Sequence, residues 1–144
     1  MREVNVINAC KNYRNILDKF EELAKLFETD ILKHGIGIRD VSTDKTKSFL
    51  VLGEIVEASI SPVSAAYIMG KIEFNLIVDP LTKPIEKIIL LQLHLDENGV
   101  FGLELSSSGH LAQGSDLEDV GTVRAYVTKA VLQKMLKYFD ITTY

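Results

Sequence analysis

Four side chains in the second half of the chain are of types that do chemistry: Gln92, His94, Glu104 and His110. Gln92 and His94 alternate within LQLHLD, so on a strand they share a face. An imidazole titrates near neutral pH and can act as acid, base or ligand group. Glu104 joins that face if residues 88–105, IILLQLHLDENGVFGLEL, form a hairpin. His110 follows in a small, polar, Gly-rich loop, SSSGHLAQGS, at 106–115. Together they describe a ligand-binding pocket with the sheet as its floor and the loop as its lid.

Each residue also has a plainer use. One face of an antiparallel sheet commonly meets water and needs no function to be polar. Asp116, Glu118 and Asp119 near His110 can help hold a divalent cation, but their spacing is not that of a metal site. They serve equally as charges at a helix N-terminus. Gly109 and Gly114-Ser115 have phosphate-loop spacing without its lysine, and the three carboxylates repel an anion there. Ser106 and Ser108 lie beside His110 without the G-x-S-x-G elbow of a nucleophile. Cys10 falls on an apolar helix stripe and is expected to be a buried, inert thiol. The assignment is therefore ligand-binding residues Gln92, His94, Glu104 and His110, with no catalytic residue, no metal ligand and no cofactor.

The turn sets the hairpin register. A two-residue Asn98-Gly99 loop pairs Leu93 with Glu104 and His94 with Leu103, mixing apolar and polar on both faces. A three-residue loop, Glu97-Asn98-Gly99, puts Gly99 in the left-handed region and closes a bulge. Leu95 then faces Phe101, Leu93 faces Leu103 and Leu91 faces Leu105. Gln92 meets Glu104, and His94 meets Gly102, which leaves space over the imidazole. Burial enforces this register, since a one-residue slip turns every side chain over. Leu91, Leu93, Leu95, Phe101, Leu103 and Leu105 are predicted to face the core. Ile77, Ile88 and Leu90 are predicted on the opposite face with Glu73, Asn75, Gln92, His94 and Glu104.

The elements that hold this hairpin come from periodicity. Cys10, Tyr13, Leu17, Phe20, Ala24, Phe27 and Ile31 recur at alternating spacings of three and four, predicting a helix over 7–33. Ile16, Leu23 and Leu26 widen its stripe, which suits packing on a sheet. Asn5 or Asn8 is the expected cap, and His34-Gly35 the expected stop. Strands are predicted at 36–41, 49–58 and 72–78, with Ser61-Pro62 ending the second. Residues 63–69 fit either a helix or a strand, and 79–84 is a turn. A second long helix is predicted over 117–139, with Ser115 and Glu118 at capping-box spacing or Thr122 as a later start. The fold class is α+β: one domain, 1–144, with an antiparallel β-meander of about five strands flanked by long N-terminal and C-terminal helices packed on one sheet face.

Composition narrows the function. The 144 residues fit one domain, and 47% hydrophobic with 25% charged residues is ordinary for a globular protein. Net charge is −4, and no Lys or Arg lies between Lys87 and Arg124. That argues against nucleic acid, which is held through cations on phosphates. One cysteine allows neither an internal disulfide nor a multi-cysteine zinc site, and fits a reducing compartment. No signal-like apolar segment or membrane-length run is visible, so a cytoplasmic location without membrane contact is expected. The leading expectation is a non-enzymatic binding or adaptor protein. It would act on a protein partner, or as a homodimer, through a mixed polar–apolar sheet face and an acidic surface. The alternative is a small-ligand or metal-dependent enzyme, with its pocket between the 88–105 hairpin and the 106–115 loop.

Overall fold

A 31-residue helix, α1 (Glu3–Lys33), opens the chain. The computed structural model describes residues 3–33, 37–79, 86–119 and 121–139. Ile16, Phe20, Leu23, Ala24, Phe27 and Ile31 are buried along one side of α1, as the three-and-four spacing requires. Two details differ from expectation. Asn5 and Asn8 lie inside the helix rather than at its cap, and Cys10 is exposed. The early turns of α1 lie outside the core: Val6 and Ile7 are also exposed, and Tyr13 is the first stripe residue to pack on the core. The expected stop at His34-Gly35 falls outside the described residues.

Among the described residues, seven antiparallel strands follow in an order that matches the chain: β1 (Gly37–Ser42), β2 (Thr46–Val51), β3 (Glu54–Ser64), β4 (Ile68–Asp79), β5 (Glu86–Leu95), β6 (Val100–Gly102) and β7 (Ser115–Asp116). The meander is as expected, and two events account for the strands beyond the expected five or so. The apolar run 49–58 is two strands, because the chain reverses at Leu52-Gly53, both with positive φ, and Val51 pairs with Glu54. The second is β7, which pairs Ser115 with Phe101 and Asp116 with Val100.

A two-residue hairpin with both central residues left-handed favours Asn-Gly, and the leucine hid it. Leucine at φ 54° occupies a region that costs an L-residue about 1–2 kcal/mol. Leu52→Asn is therefore expected to stabilise the protein by about 0.5–1 kcal/mol, read as a raised urea midpoint; a lowered midpoint contradicts the turn.

Pro62 does not end β3; it pairs with Gly70 inside the strand. The Ile60 N–H donates to the Lys45 carbonyl. By alternation, the N–H that Pro62 lacks points to the same side, past the start of β2, where no ladder needs it. Residues 63–69 thus finish β3, turn and begin β4. The expected turn at 79–84 lies largely outside the described residues.

The C-terminal helix starts later than 117, since β7 claims Ser115 and Asp116. A π-helical turn, Arg124–Thr128, leads into α2 (Lys129–Tyr138). Neither expected cap operates. The Thr122 hydroxyl donates to the carbonyls of Asp116 and Asp119, and Asp116 Oδ1 accepts from the Glu118 N–H at 2.9 Å.

Both helices contribute to a core cluster with the sheet. α1 contacts strands β1 to β5, and α2 contacts β5. Phe27 sits at the centre, edge-on to Phe49 at 4.8 Å and tilted against Phe74 at 5.2 Å between ring centroids. Gly70 permits the close approach of α1: a Cβ there would lie 2.9 Å from Ile16 Cγ2. Polar groups are also built into this core. Asp30 accepts from the Thr128 hydroxyl at 2.9 Å and faces Arg124 Nε at 3.4 Å, tying α1 to the π-turn. Lys47, paired across β3 with Ala58, is buried, with its ammonium against Glu21 and 5.6 Å from the Phe20 ring centroid.

Candidate functional site

The β5–β6 turn has the expected three-residue form. The Asp96 N–H donates to the Val100 carbonyl at 2.9 Å, and Gly99 is left-handed at φ 83°. The Asp96 carboxylate holds the turn by accepting from the N–H groups of Asn98 and Val100. His94 pairs with Gly102 and Leu95 with Phe101. Leu93, Leu95 and Phe101 are buried.

The ladder then stops. The expected pairs Leu93–Leu103, Gln92–Glu104 and Leu91–Leu105 do not form, and Leu103 is 59% exposed. Residues 104–112 instead fold on themselves. Ala112 N–H donates to Glu104, Ser106 N–H donates to His110, and Leu105 bridges to Leu111. These local bonds satisfy the backbone groups that pairing with β5 would otherwise have satisfied.

A bulge corrects the far half of β5. Phe74 pairs with Leu91 and Asn75 with Ile89, so Leu90 is the extra residue. Leu90 turns into the core, Ile89 turns out at 50% exposure, and Leu91 and Ile88 only partly pack on the core. Leu90 and Ile88 are thus not on the outer face. Ile77 and Asn75 are there, yet both are buried.

The space beside His94 is filled. A Cβ on Gly102 would lie 3.0 Å from the Gln113 carbonyl oxygen and 3.4 Å from Leu111 Cδ2. The 106–115 loop therefore packs where an open floor was expected. Gln92 is exposed and donates to Glu73 at 2.6 Å. His94 is half-buried, and its Nδ1 is buried without a partner among the described residues. His110 is exposed, with its ring 5.5 Å from that of Tyr67. Glu104 is exposed and lines a cleft that none of the other three lines. Gln92 and His94 share the outer sheet face; the four residues do not form one pocket.

Burial, and then the cross-strand Lys71 ammonium, lower the His94 pKa below its ordinary 6.5. The unfolded chain therefore takes up the proton first. Stability tied to the neutral ring is complete above the unfolded pKa and is lost as pH falls through the folded one. Urea unfolding at about pH 7.5 and about pH 5 should show this loss, and His94→Gln should flatten it. An unchanged slope in the variant contradicts the assignment.

The cleft has a volume of about 540 Å³ and opens where β6 leaves β5. Leu93 and Phe101 form its buried floor, while Leu103 and Tyr126 stand at its margin, 59% and 56% exposed. Among the described residues, Glu104 is the charged residue in its lining; Gln113 and Ser115 add neutral polar groups. The open edge of β5 runs from this cleft. β5 pairs with β4 from Glu86 to Leu95, but with β6 only at His94 and Leu95. Among the described residues no strand pairs with 86–93 on that side. Alternation from the Asp96–Val100 bond directs the N–H and C=O of Gln92 to the open edge.

Sequence reasoning missed Tyr126 and the edge, because nothing in the letters says that β6 stops at Gly102. It also missed Lys47, whose signal was present: period-two alternation puts it on one side with Phe49 and Val51. Lys47 lines a second, polar recess of about 360 Å³ with Arg14, Asp18, Glu21 and Asp44.

Among the described residues, no three His, Cys, Asp or Glu side chains converge to hold a metal ion. Among the same residues, no helix is long and apolar enough to cross a membrane. The chain matches no family model, no curated protein and no solved structure.

Proposed function

We propose that the protein is a non-enzymatic binding protein that takes another polypeptide at the open edge of β5 and its adjoining cleft. The observation that carries this reading is a stretch of β5, residues 86–93, that no strand pairs with on one side among the described residues and that runs into a cleft of mixed apolar and polar lining. Unpaired strand edges are templates for another chain. Exposed Ile89, Leu103 and Tyr126 near this edge are the kind of apolar surface that partners cover. The outer sheet face is a weaker candidate. Four of its polar side chains already engage one another, Gln92 with Glu73 and Lys87 with Glu57.

Random octapeptides displayed on phage and selected on the full chain test this reading. The expected result is convergence on a shared pattern, with binding weakened by Leu103→Lys or Tyr126→Ala. A selection with no sequence above background, or binders indifferent to both changes, contradicts it. The proposal includes a cytoplasmic location, which a lone thiol fits. Recovery with membranes on cell fractionation contradicts that part.

The cleft volume favours a second reading, a small-molecule site, because such sites occupy about 300–1,000 Å³. A thermal-shift screen against a metabolite panel separates the two. A stabilising metabolite whose effect is lost in Tyr126→Ala supports the second reading, and no hit across the panel removes it.

A further inference from the structure

Resting on that reading of the β5 edge, we propose that its occupant is an extended segment. The segment adds a strand beside β5 and carries one apolar side chain with a lysine or arginine close by in sequence. Three observations specify this occupant. First, the hairpin register would continue β6 alongside β5 with Leu103 opposite Leu93, but the chain turns away at Gly102. The position beyond Leu93 has the geometry for a strand and is open among the described residues.

Second, the edge offers directed backbone groups. The Gln92 N–H and C=O point outward, and a strand in the vacated register meets them with main-chain hydrogen bonds, independent of its side chains. Its inward-facing side chain enters the cleft over Leu93, beside Tyr126.

Third, the charge lining the cleft is acidic. Among the described residues Glu104 lines the cleft and neither Lys nor Arg does; Lys87, at the far end of the open stretch of β5, is paired with Glu57. Asp116 follows the cleft residue Ser115, and the sequence holds no cation from 88 to 123. A cationic side chain on the incoming segment complements this surface. A second copy of the chain brings the same acidic surface, which like-charge repulsion opposes. A polyanion is opposed for the same reason.

Fluorescent octapeptides from the display selection, titrated by anisotropy into the full chain and its variants, test the proposal. The selected sequences should be enriched in Lys or Arg next to an apolar residue. Gln92→Pro removes the outward N–H while leaving the β4 ladder intact, and should weaken binding by about tenfold. Gln92→Thr loses the same contact to Glu73 but keeps the donor, and should stay within about threefold of the original. Glu104→Gln should weaken binding by about threefold and flatten its salt dependence. Peptides N-methylated at alternate amides examine the same hydrogen bonds without altering the protein, and one of the two alternating sets should fail to bind.

Binders that lack cations and tolerate Gln92→Pro, Glu104→Gln and both methylation sets overturn this proposal while leaving polypeptide binding intact. A selection without binders overturns the underlying reading instead. A light-scattering mass of two chains that returns to one in Gln92→Pro assigns the edge to a second copy and also overturns the proposal.

Discussion

Phe27→Ala is expected to lower the unfolding free energy by about 3–5 kcal/mol, a large share of what a domain of this size has. Phe27 is fully buried and lies where α1 crosses the sheet. Its ring stands edge-on to Phe49 and tilted to Phe74, one residue from β2 and one from β4. Truncation removes the transfer free energy of the ring, leaves a cavity, and deletes two aromatic contacts worth about 0.5–1.5 kcal/mol each. The helix is ordered by packing rather than by propensity, so it cannot collapse far into the gap without leaving Phe20 and Ile31. Urea unfolding followed by far-UV circular dichroism measures the loss. A cost under about 1 kcal/mol would mean that Phe27 is not central to this core.

The second large effect is asymmetric. Lys47 extends from the core side of β2 and is buried, with its ammonium on Glu21, whose side chain is about a third exposed. Removing Glu21 strands a buried cation; removing Lys47 leaves a carboxylate that water reaches. Glu21→Ala should therefore cost about 3 kcal/mol. Lys47→Met keeps the stem volume, retains contact with Phe20 and removes the desolvated charge, so it should fall within about 1 kcal/mol of the original. Equal costs for the two variants would show that the ion pair itself, rather than the stranding of one partner, sets the energy. The same asymmetry is expected to be weaker at Asp30, which has both the Thr128 hydroxyl and Arg124 to meet it.

How far the letters carried can be judged residue by residue. The stripe of α1 was legible because burial repeats at three and four, and Phe20, Phe27 and Ile31 are buried as predicted. The three-residue turn was legible because only Gly99 at the left-handed position puts Leu95 opposite Phe101. Leu52 concealed a turn because the strained residue is not one that turns favour. Pro62 looks like a terminator in the letters because its innocence depends on where β2 begins, a tertiary fact. Leu90 was placed on the wrong face because a bulge shifts the period by one, and no local residue announces it.

The candidate site fared less well for a related reason. Grouping Gln92, His94 and Glu104 assumed that β6 continues, but 104–112 satisfies its own backbone and departs. Gly102, read as open space, admits the Gln113 backbone instead. The proposed binding surface follows from that departure: a strand that leaves early exposes both a sheet edge and the apolar floor beneath it. Of the four predicted residues, Glu104 lies in the cleft, and Gln92 enters the proposal through its backbone rather than its amide side chain.

The most direct test is residue-resolved amide hydrogen exchange on the full chain, with and without a peptide from the display selection. In the free protein, the Gln92 amide should exchange fast beside slow Leu91 and Leu93, whose N–H groups face β4. Added peptide should slow Gln92 while leaving the β3–β4 ladder unchanged. A Gln92 amide already as slow as Leu93 in the free chain, or peptide protection confined to surfaces away from β5 and the cleft, would contradict the account.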